Sequence, residues 1–151
     1  MSDTILKLIP VDPKFIPTTE SQTEVAAVLR ALLPHAEEIK SIVFNGVQFV
    51  DPGGNLEKIT CPECGKPIEN AVWQKMMSER FETQNGFLNL EIRLPCCGGL
   101  SSLNDLVYSW QAGFASYVLE IRNPEGDLES AELKQLEVVV GCNLKKIQAQ
   151  Y

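Results

Sequence analysis

Histidine, long basic runs and long apolar runs are scarce in this 151-residue chain, and each scarcity removes a class of function. His35 is the only histidine and directly follows Pro34. A Ser-His-Asp or Cys-His mechanism would have to pass through that one residue, and no nucleophile-elbow pattern accompanies it. His35 reads instead as a surface residue at a helix C-terminus, where the helix dipole favours it. No Lys/Arg run exceeds Lys145-Lys146, and 13 basic against 20 acidic residues leave a formal net charge of −7. That field opposes the phosphate backbone and argues against nucleic-acid partners. Apolar runs such as Val138-Val139-Val140 fall far short of the roughly 20 residues that cross a bilayer, so no membrane partner is expected. Gly53-Gly54 and Gly98-Gly99 lack the downstream glycine and lysine of a phosphate-binding loop. The opening Met1-Ser2-Asp3-Thr4 has no basic region leading into a long apolar stretch, which makes the cytoplasm the expected location.

What remains is an ordinary folded composition, 44% hydrophobic and 22% charged. Such a chain has enough apolar surface for one core, and a single domain over residues 1–151 is expected.

Hydrophobic periodicity divides the chain into three parts. In the first, Thr4 to Ile9 reads as a strand ending at Pro10. Thr19 with Gln22 suggests a capping box, and Val25, Val28, Leu29, Leu32 and Leu33 recur at helical spacing over Glu20 to Leu33. Ser41 to Val50 is β-branched and aromatic but broken by Asn45-Gly46, which leaves a bulged strand or a tight hairpin open. Asp51 to Asn55 marks a turn. In the middle part, a helix is expected over Ile68 to Glu82. An alternating strand follows over Phe87 to Leu94, and Ser102 with Asp105 can cap a short helix through Tyr108. In the last part, Phe114 to Arg122 reads as a strand and Asp127 as the cap of a helix burying Leu133, Leu136 and Val140. Gly141 closes that helix, and Cys142 to Gln150 reads as a final strand. The expected class is α+β: a mixed sheet in which two β-α-β-like halves flank an inserted zinc-ribbon-like module at residues 56–112.

Four of the five cysteines fall in two turn-flanked clusters, Cys61-Pro62-Glu63-Cys64-Gly65 and Pro95-Cys96-Cys97-Gly98-Gly99. Clustered cysteines in a reducing compartment point to metal or thiol chemistry before structural disulfides. Cys61, Cys64, Cys96 and Cys97 are therefore the candidate metal ligands, with Zn2+ as the expected ion. Adjacent residues on an extended strand face opposite ways, so Cys96 and Cys97 can share one ion only if the chain turns there; Gly98-Gly99 permits that. Two other arrangements stay open: a site in which only one of Cys96 and Cys97 binds, and thiol chemistry without metal. Gly65 and Pro67 delay the next helix, unlike a redox Cys-x-x-Cys whose helix begins at once.

Cys142 reads as a small core thiol. Trp73, Tyr108, Trp110 and Phe114 read as core residues joining the cysteine module to the sheet, or as a partner surface where exposed. The carboxylates Glu125, Asp127, Glu129, Glu132 and Glu137 read as a solvated helix face.

At its two knuckles the chain resembles zinc-ribbon proteins. The string from Leu94 to Gly99, with Ser102-Leu103-Asn104-Asp105-Leu106 and Gly113-Phe114, is similar to small uncharacterised bacterial proteins. The resemblance implies the four cysteine ligands and no assigned activity. A complete thiolate shell without a recognisable catalytic set predicts a zinc-stabilised protein that binds another protein and catalyses nothing. The alternative is a metal- or thiol-dependent enzyme acting at the cysteine cluster.

Overall fold

The computed structural model describes residues 3–151; Met1 and Ser2, part of the leader reading, lie outside the described residues. The first segment holds β1 (Thr4–Pro10), α1 (Thr19–Leu32) and β2 (Glu38–Val50). The last holds β9 (Gly113–Arg122), α3 (Ser130–Val140) and β10 (Leu144–Gln150). Between them lie β3 (Ile59–Thr60), α2 (Asn70–Arg80), β4 (Phe81–Glu82), β5 (Gly86–Phe87), β6 (Glu91–Arg93), β7 (Leu100–Ser102), a 3-10 turn (Leu103–Asp105) and β8 (Val107–Tyr108). No helix is long and apolar enough to cross a membrane among the described residues.

The main sheet runs β10-β1-β9-β2-β5-β4. β1 is antiparallel to both β10 and β9, and β9 is antiparallel to β2. Each β-α-β half therefore places its first strand between the two strands of the other half, the interleaving of a split β-α-β arrangement. The sheet is mixed because β2 meets β5 in parallel at Val47 and Gly86.

α1 and α3 lie over one sheet face. Val25, Leu29 and Leu33 from the first helical segment and Leu136 and Val140 from α3 bury against Leu6, Leu8, Tyr117, Leu119 and Ile121. Thr18, one residue before the expected cap, accepts from the Ser21 amide at 3.1 Å, while the Gln22 side chain donates to Pro17 O. α3 begins later than expected because Glu129 and Glu132 form the capping box. Asp127 instead accepts the Leu128 amide and pairs with Lys146 at 3.0 Å. Glu137 accepts the Leu144 amide at 2.7 Å, so part of the acidic face shapes its own backbone.

On the other side of the sheet, Ile9, Val50, Ala115, Val118 and Ile147 cluster. Lys7 is buried beside them and its ammonium is satisfied by Asp51 O at 2.9 Å, Asp51 Oδ1 at 3.3 Å and Tyr151 Oη at 2.6 Å. The turn after β2 also covers the outer edge of β10. Gly54 N donates to Gln150 O, Gln150 N to Pro52 O and Asn55 Nδ2 to Gln148 O. Those groups are withdrawn from edge-to-edge pairing with another chain.

β2 is a bulged strand. Its register against β9 shifts between Val43 and Gln48, around Gly46 at φ 90°. The bulge lets Asn45 donate to Gln84 O at 2.9 Å and brings the strand onto β5. The strand expected over Phe87 to Leu94 is interrupted, because Asn89 Oδ1 takes the Glu91 amide at 2.9 Å and the local turn displaces the ladder. Leu88, expected inside, is 59% exposed as a result. A second core joins insertion and sheet: Trp73, Met76, Phe87, Leu94 and Leu103 pack with Val47 and Phe114. Phe49 is its aromatic hub, with ring centroids 5.4 Å from Trp73, 5.9 Å from Tyr108 and 5.1 Å from Phe114.

Candidate metal centre

The first knuckle leaves β3 and returns to it. Cys61 N donates to Lys66 O at 2.9 Å, Gly65 N donates to Cys61 O at 3.0 Å, and Gly65 takes φ 75°. The second knuckle is the loop of the β6-β7 hairpin. Leu94 N donates to Gly99 O at 2.8 Å, Gly98 N donates to Leu94 O at 2.7 Å, and Gly98 takes φ 74°. The two loops have the same backbone pattern. Their hydrogen bonds put Cys61-Pro62-Glu63-Cys64-Gly65 in register with Leu94-Pro95-Cys96-Cys97-Gly98.

Cys64 and Cys97 therefore hold matching places, and Leu94 stands where the first knuckle has Cys61. Both of these first positions are buried, at 1% for Cys61 and 0% for Leu94. Cys96 corresponds to Glu63, so the fourth sulfur enters from a place that carries no ligand in the first knuckle. Aligning Pro62-Glu63-Cys64-Gly65 with Pro95-Cys96-Cys97-Gly98 was the signal for this register in the sequence. Treating the cysteines as two pairs concealed it.

The structure brings all four sequence-predicted residues together: the Sγ atoms of Cys61, Cys64, Cys96 and Cys97 lie within 4.8 Å of one another. Cys64 and Cys96 are 3.3 Å apart, and Cys61 and Cys97 are 4.0 Å apart. All four are unpaired thiols, and four soft donors around one point can hold a metal ion. One further contact braces each loop. Cys64 N points at Cys61 Sγ at 3.4 Å, and Arg93 Nη1 donates to Gly98 O at 2.8 Å.

The electrostatics separate the sulfurs. Burial pushes the Cys61 thiol up, but the amides of Cys64 and Glu63 and the sulfurs of Cys96 and Cys64 outweigh it, so its pKa lies below the usual thiol value. Cys96 is pushed the other way by the Cys64 sulfur first, then by burial, then by Cys61 and Cys97. The amides of the first knuckle thus favour a thiolate on Cys61.

The remaining candidates lie apart from the cluster. His35 is exposed. Cys142 is half-buried against the helical core, and burial followed by the charges of Glu137 and Asp12 raises its thiol to about 11. Trp73 and Phe114 are buried, Tyr108 is half-buried, and Trp110 is 44% exposed. Tyr108 Oη donates to Leu103 O at 2.7 Å and lies 3.3 Å from Trp73 Nε1, which connects the hairpin's second knuckle to the shared core. Away from the cysteines, a groove of about 320 Å³ crosses the sheet beside Lys40, Glu120 and Arg122. Its charges are partly paired within the protein, Arg122 with Glu37 at 3.3 Å and Lys40 with Glu38 at 3.4 Å.

Comparison with family models, with curated proteins and with solved structures finds no match for this chain.

Proposed function

We propose that this chain is a zinc-stabilised protein-binding module of the cytoplasm, with Cys61, Cys64, Cys96 and Cys97 as the ligands. The convergence of four sulfurs on one point carries the reading. Zinc bound tetrahedrally at about 2.3 Å to each thiolate separates its sulfurs by about 3.8 Å. The Cys64–Cys96 and Cys61–Cys97 separations, 3.3 and 4.0 Å, bracket that edge. The ion supplies cross-linking: it ties two loops that are 31 residues apart in the chain (96 − 64 − 1) into one rigid end of the insertion. Histidine and carboxylate ligands are not needed to complete the shell. A reducing compartment keeps such thiols available for metal.

Exposed apolar side chains on the insertion support the partner-binding half of the reading. Phe81, Leu88, Leu100, Val107 and Trp110 are all more than 40% exposed. Exposed aliphatic and aromatic groups on a metal-stiffened surface suit a protein partner better than a small substrate.

Metal analysis of the purified chain, combined with X-ray absorption at the zinc edge, tests the site. One zinc with four sulfur neighbours is the expected result; no metal, or an oxygen neighbour in the shell, overturns it. Affinity capture from host extract tests the partner, using the wild type against a Leu100→Ser, Trp110→Ser variant. Equal capture by both removes the apolar surface as the docking face.

The second reading, a metal- or thiol-dependent enzyme at the same cluster, draws on the odd position of Cys96. If that sulfur left the ion, water or substrate could enter the fourth position. The oxygen neighbour named above would favour this reading.

A further inference from the structure

We infer that Cys64 and Cys96 form a reversible oxidation site: a peroxide joins their sulfurs and releases the ion. The inference rests on the metal-centre reading above and adds regulation to it.

Three observations converge on this pair. The Sγ atoms of Cys64 and Cys96 meet across the two knuckles at 3.3 Å, shorter than the 4.0 Å between Cys61 and Cys97. Cys64 and Cys97 are exposed and Cys96 half-buried, whereas Cys61 is sealed in the core with its sulfur against the Cys64 amide, so of these two contacts only Cys64–Cys96 has both residues open to solvent. The knuckle register makes Cys96 the irregular ligand: Leu94 fills the place where a regular second knuckle would put its sulfur. Leu94 cannot leave that place cheaply, because it is fully buried in the core shared with Phe114 and Trp73. Cys96 is therefore the donor least fixed by the turn that carries it, and the sulfur it meets at 3.3 Å lies across the gap on the other knuckle.

The chemistry balances with a hydroperoxide as the oxidant. One sulfur attacks the peroxide, the O–O bond breaks, and that sulfur becomes a sulfenic acid while one water leaves. The second sulfur then displaces the sulfenic oxygen as a second water, and the S–S bond forms. Each thiolate sulfur has given up one electron, and hydrogen peroxide has taken those two electrons together with two protons from solvent. Cys61 and Cys97 remain as two donors, too few to close a tetrahedral shell. A dithiol reductant returns both electrons and both protons, which restores the four donors.

The test uses the full chain loaded with zinc and titrated with hydrogen peroxide. Free zinc is followed with a chromogenic chelator, and the linkage is mapped by digestion without reductant. The expected result is zinc release in step with a single linked peptide pair, Cys64 to Cys96, and recovery of binding after dithiothreitol. Leu94→Cys combined with Cys96→Ala, which keeps four sulfur donors but removes the Cys64–Cys96 pair, should hold zinc and release it about ten-fold more slowly at equal peroxide. A dominant Cys61–Cys97 or Cys96–Cys97 link overturns the inference. So does release at the wild-type rate from the zinc-loaded Leu94→Cys, Cys96→Ala variant. A chain that carries no zinc before peroxide defeats the metal-centre reading itself, whereas one that carries zinc but links other sulfurs defeats the switch alone.

Discussion

Leu94 holds in the second knuckle the backbone place that Cys61 holds in the first. Each residue begins a turn whose glycine, four positions on, donates its amide back to it, at 2.7 Å for Leu94 and 3.0 Å for Cys61. The cluster is thus built on a repeated loop in which one sulfur position has been given to the core.

That relationship predicts the behaviour of Leu94→Cys combined with Cys96→Ala. The double variant has two matching knuckles and should bind zinc at one equivalent, with sulfur-only coordination by X-ray absorption. A folded double variant unable to bind zinc would show that the loops do not superpose as their hydrogen bonds indicate.

Ligand and core cysteines should separate in stability. Zinc binding in small thiolate sites is worth about 10–16 kcal/mol, comparable with the about 5–15 kcal/mol that holds a domain folded. Cys61→Ser is expected to lose the metal and melt the insertion. Cys142→Ser should keep the metal and lose only about 1 kcal/mol of packing. Zinc stoichiometry with thermal melts decides this, and equal losses in both variants would contradict the assignment.

Acid should weaken the contact between Lys7 and Asp51. Burial alone would raise the Asp51 carboxyl, but the Lys7 ammonium, the Tyr151 hydroxyl and the Gly53 amide outweigh it and hold it below the ordinary carboxylate value. The unfolded chain therefore takes up this proton first as pH falls. The stabilisation is complete above the unfolded value of about 3.9 and disappears as pH drops through the lower folded one. Because the Asp51 side chain is 42% exposed, screening keeps the contribution below about 1 kcal/mol. Urea midpoints between pH 2 and 7 should show a shallower acid limb in Asp51→Asn than in the wild type; superimposable limbs would remove Asp51 from the acid response.

Two glycines admit the insertion to the sheet. A Cβ on Gly46 would lie 2.0 Å from Asn85 O, and one on Gly86 would lie 2.3 Å from Val47 O, both against backbone. Each also has positive φ, at 90° and 69°. Gly46→Ala and Gly86→Ala should each cost more than the about 1–3 kcal/mol of left-handed backbone alone. Gly65→Ala, at φ 75° with nothing within 4 Å, isolates that conformational cost. Tryptophan-monitored urea unfolding gives the comparison, and three equal losses would exclude the close approach as the cause.

The candidate site was legible because its residue types are chemically narrow. Four cysteines flanked by proline and glycine have few roles in a chain with one histidine, and their convergence agrees with the reading. The strand ends were less legible. Phe87 to Leu94 alternates as a strand should, yet Asn89 captures the Glu91 amide and breaks the ladder, a competition between side chain and backbone that periodicity does not register. Asp127 was the expected cap, but Lys146, 19 residues away, engages it and the cap falls to Glu129.

Local chemistry was sufficient for α1, α2 and α3, the two flanking β-α-β segments and the cysteine set, since each depends on residues within a turn or two of one another; the helix expected from Ser102 through Tyr108 is instead a 3-10 turn and strand β8. Partner choice in the sheet was not available from the same source. An alternating strand specifies which of its faces is buried but not which neighbour it pairs with. The order β10-β1-β9-β2 joins strands more than a hundred residues apart, as Thr4 with Gln150 does. The same limit applied to the sulfurs: spacing identified four donors, while the contact between Cys64 and Cys96 and the burial of Leu94 in a ligand's place arose only when two distant loops packed on a common core.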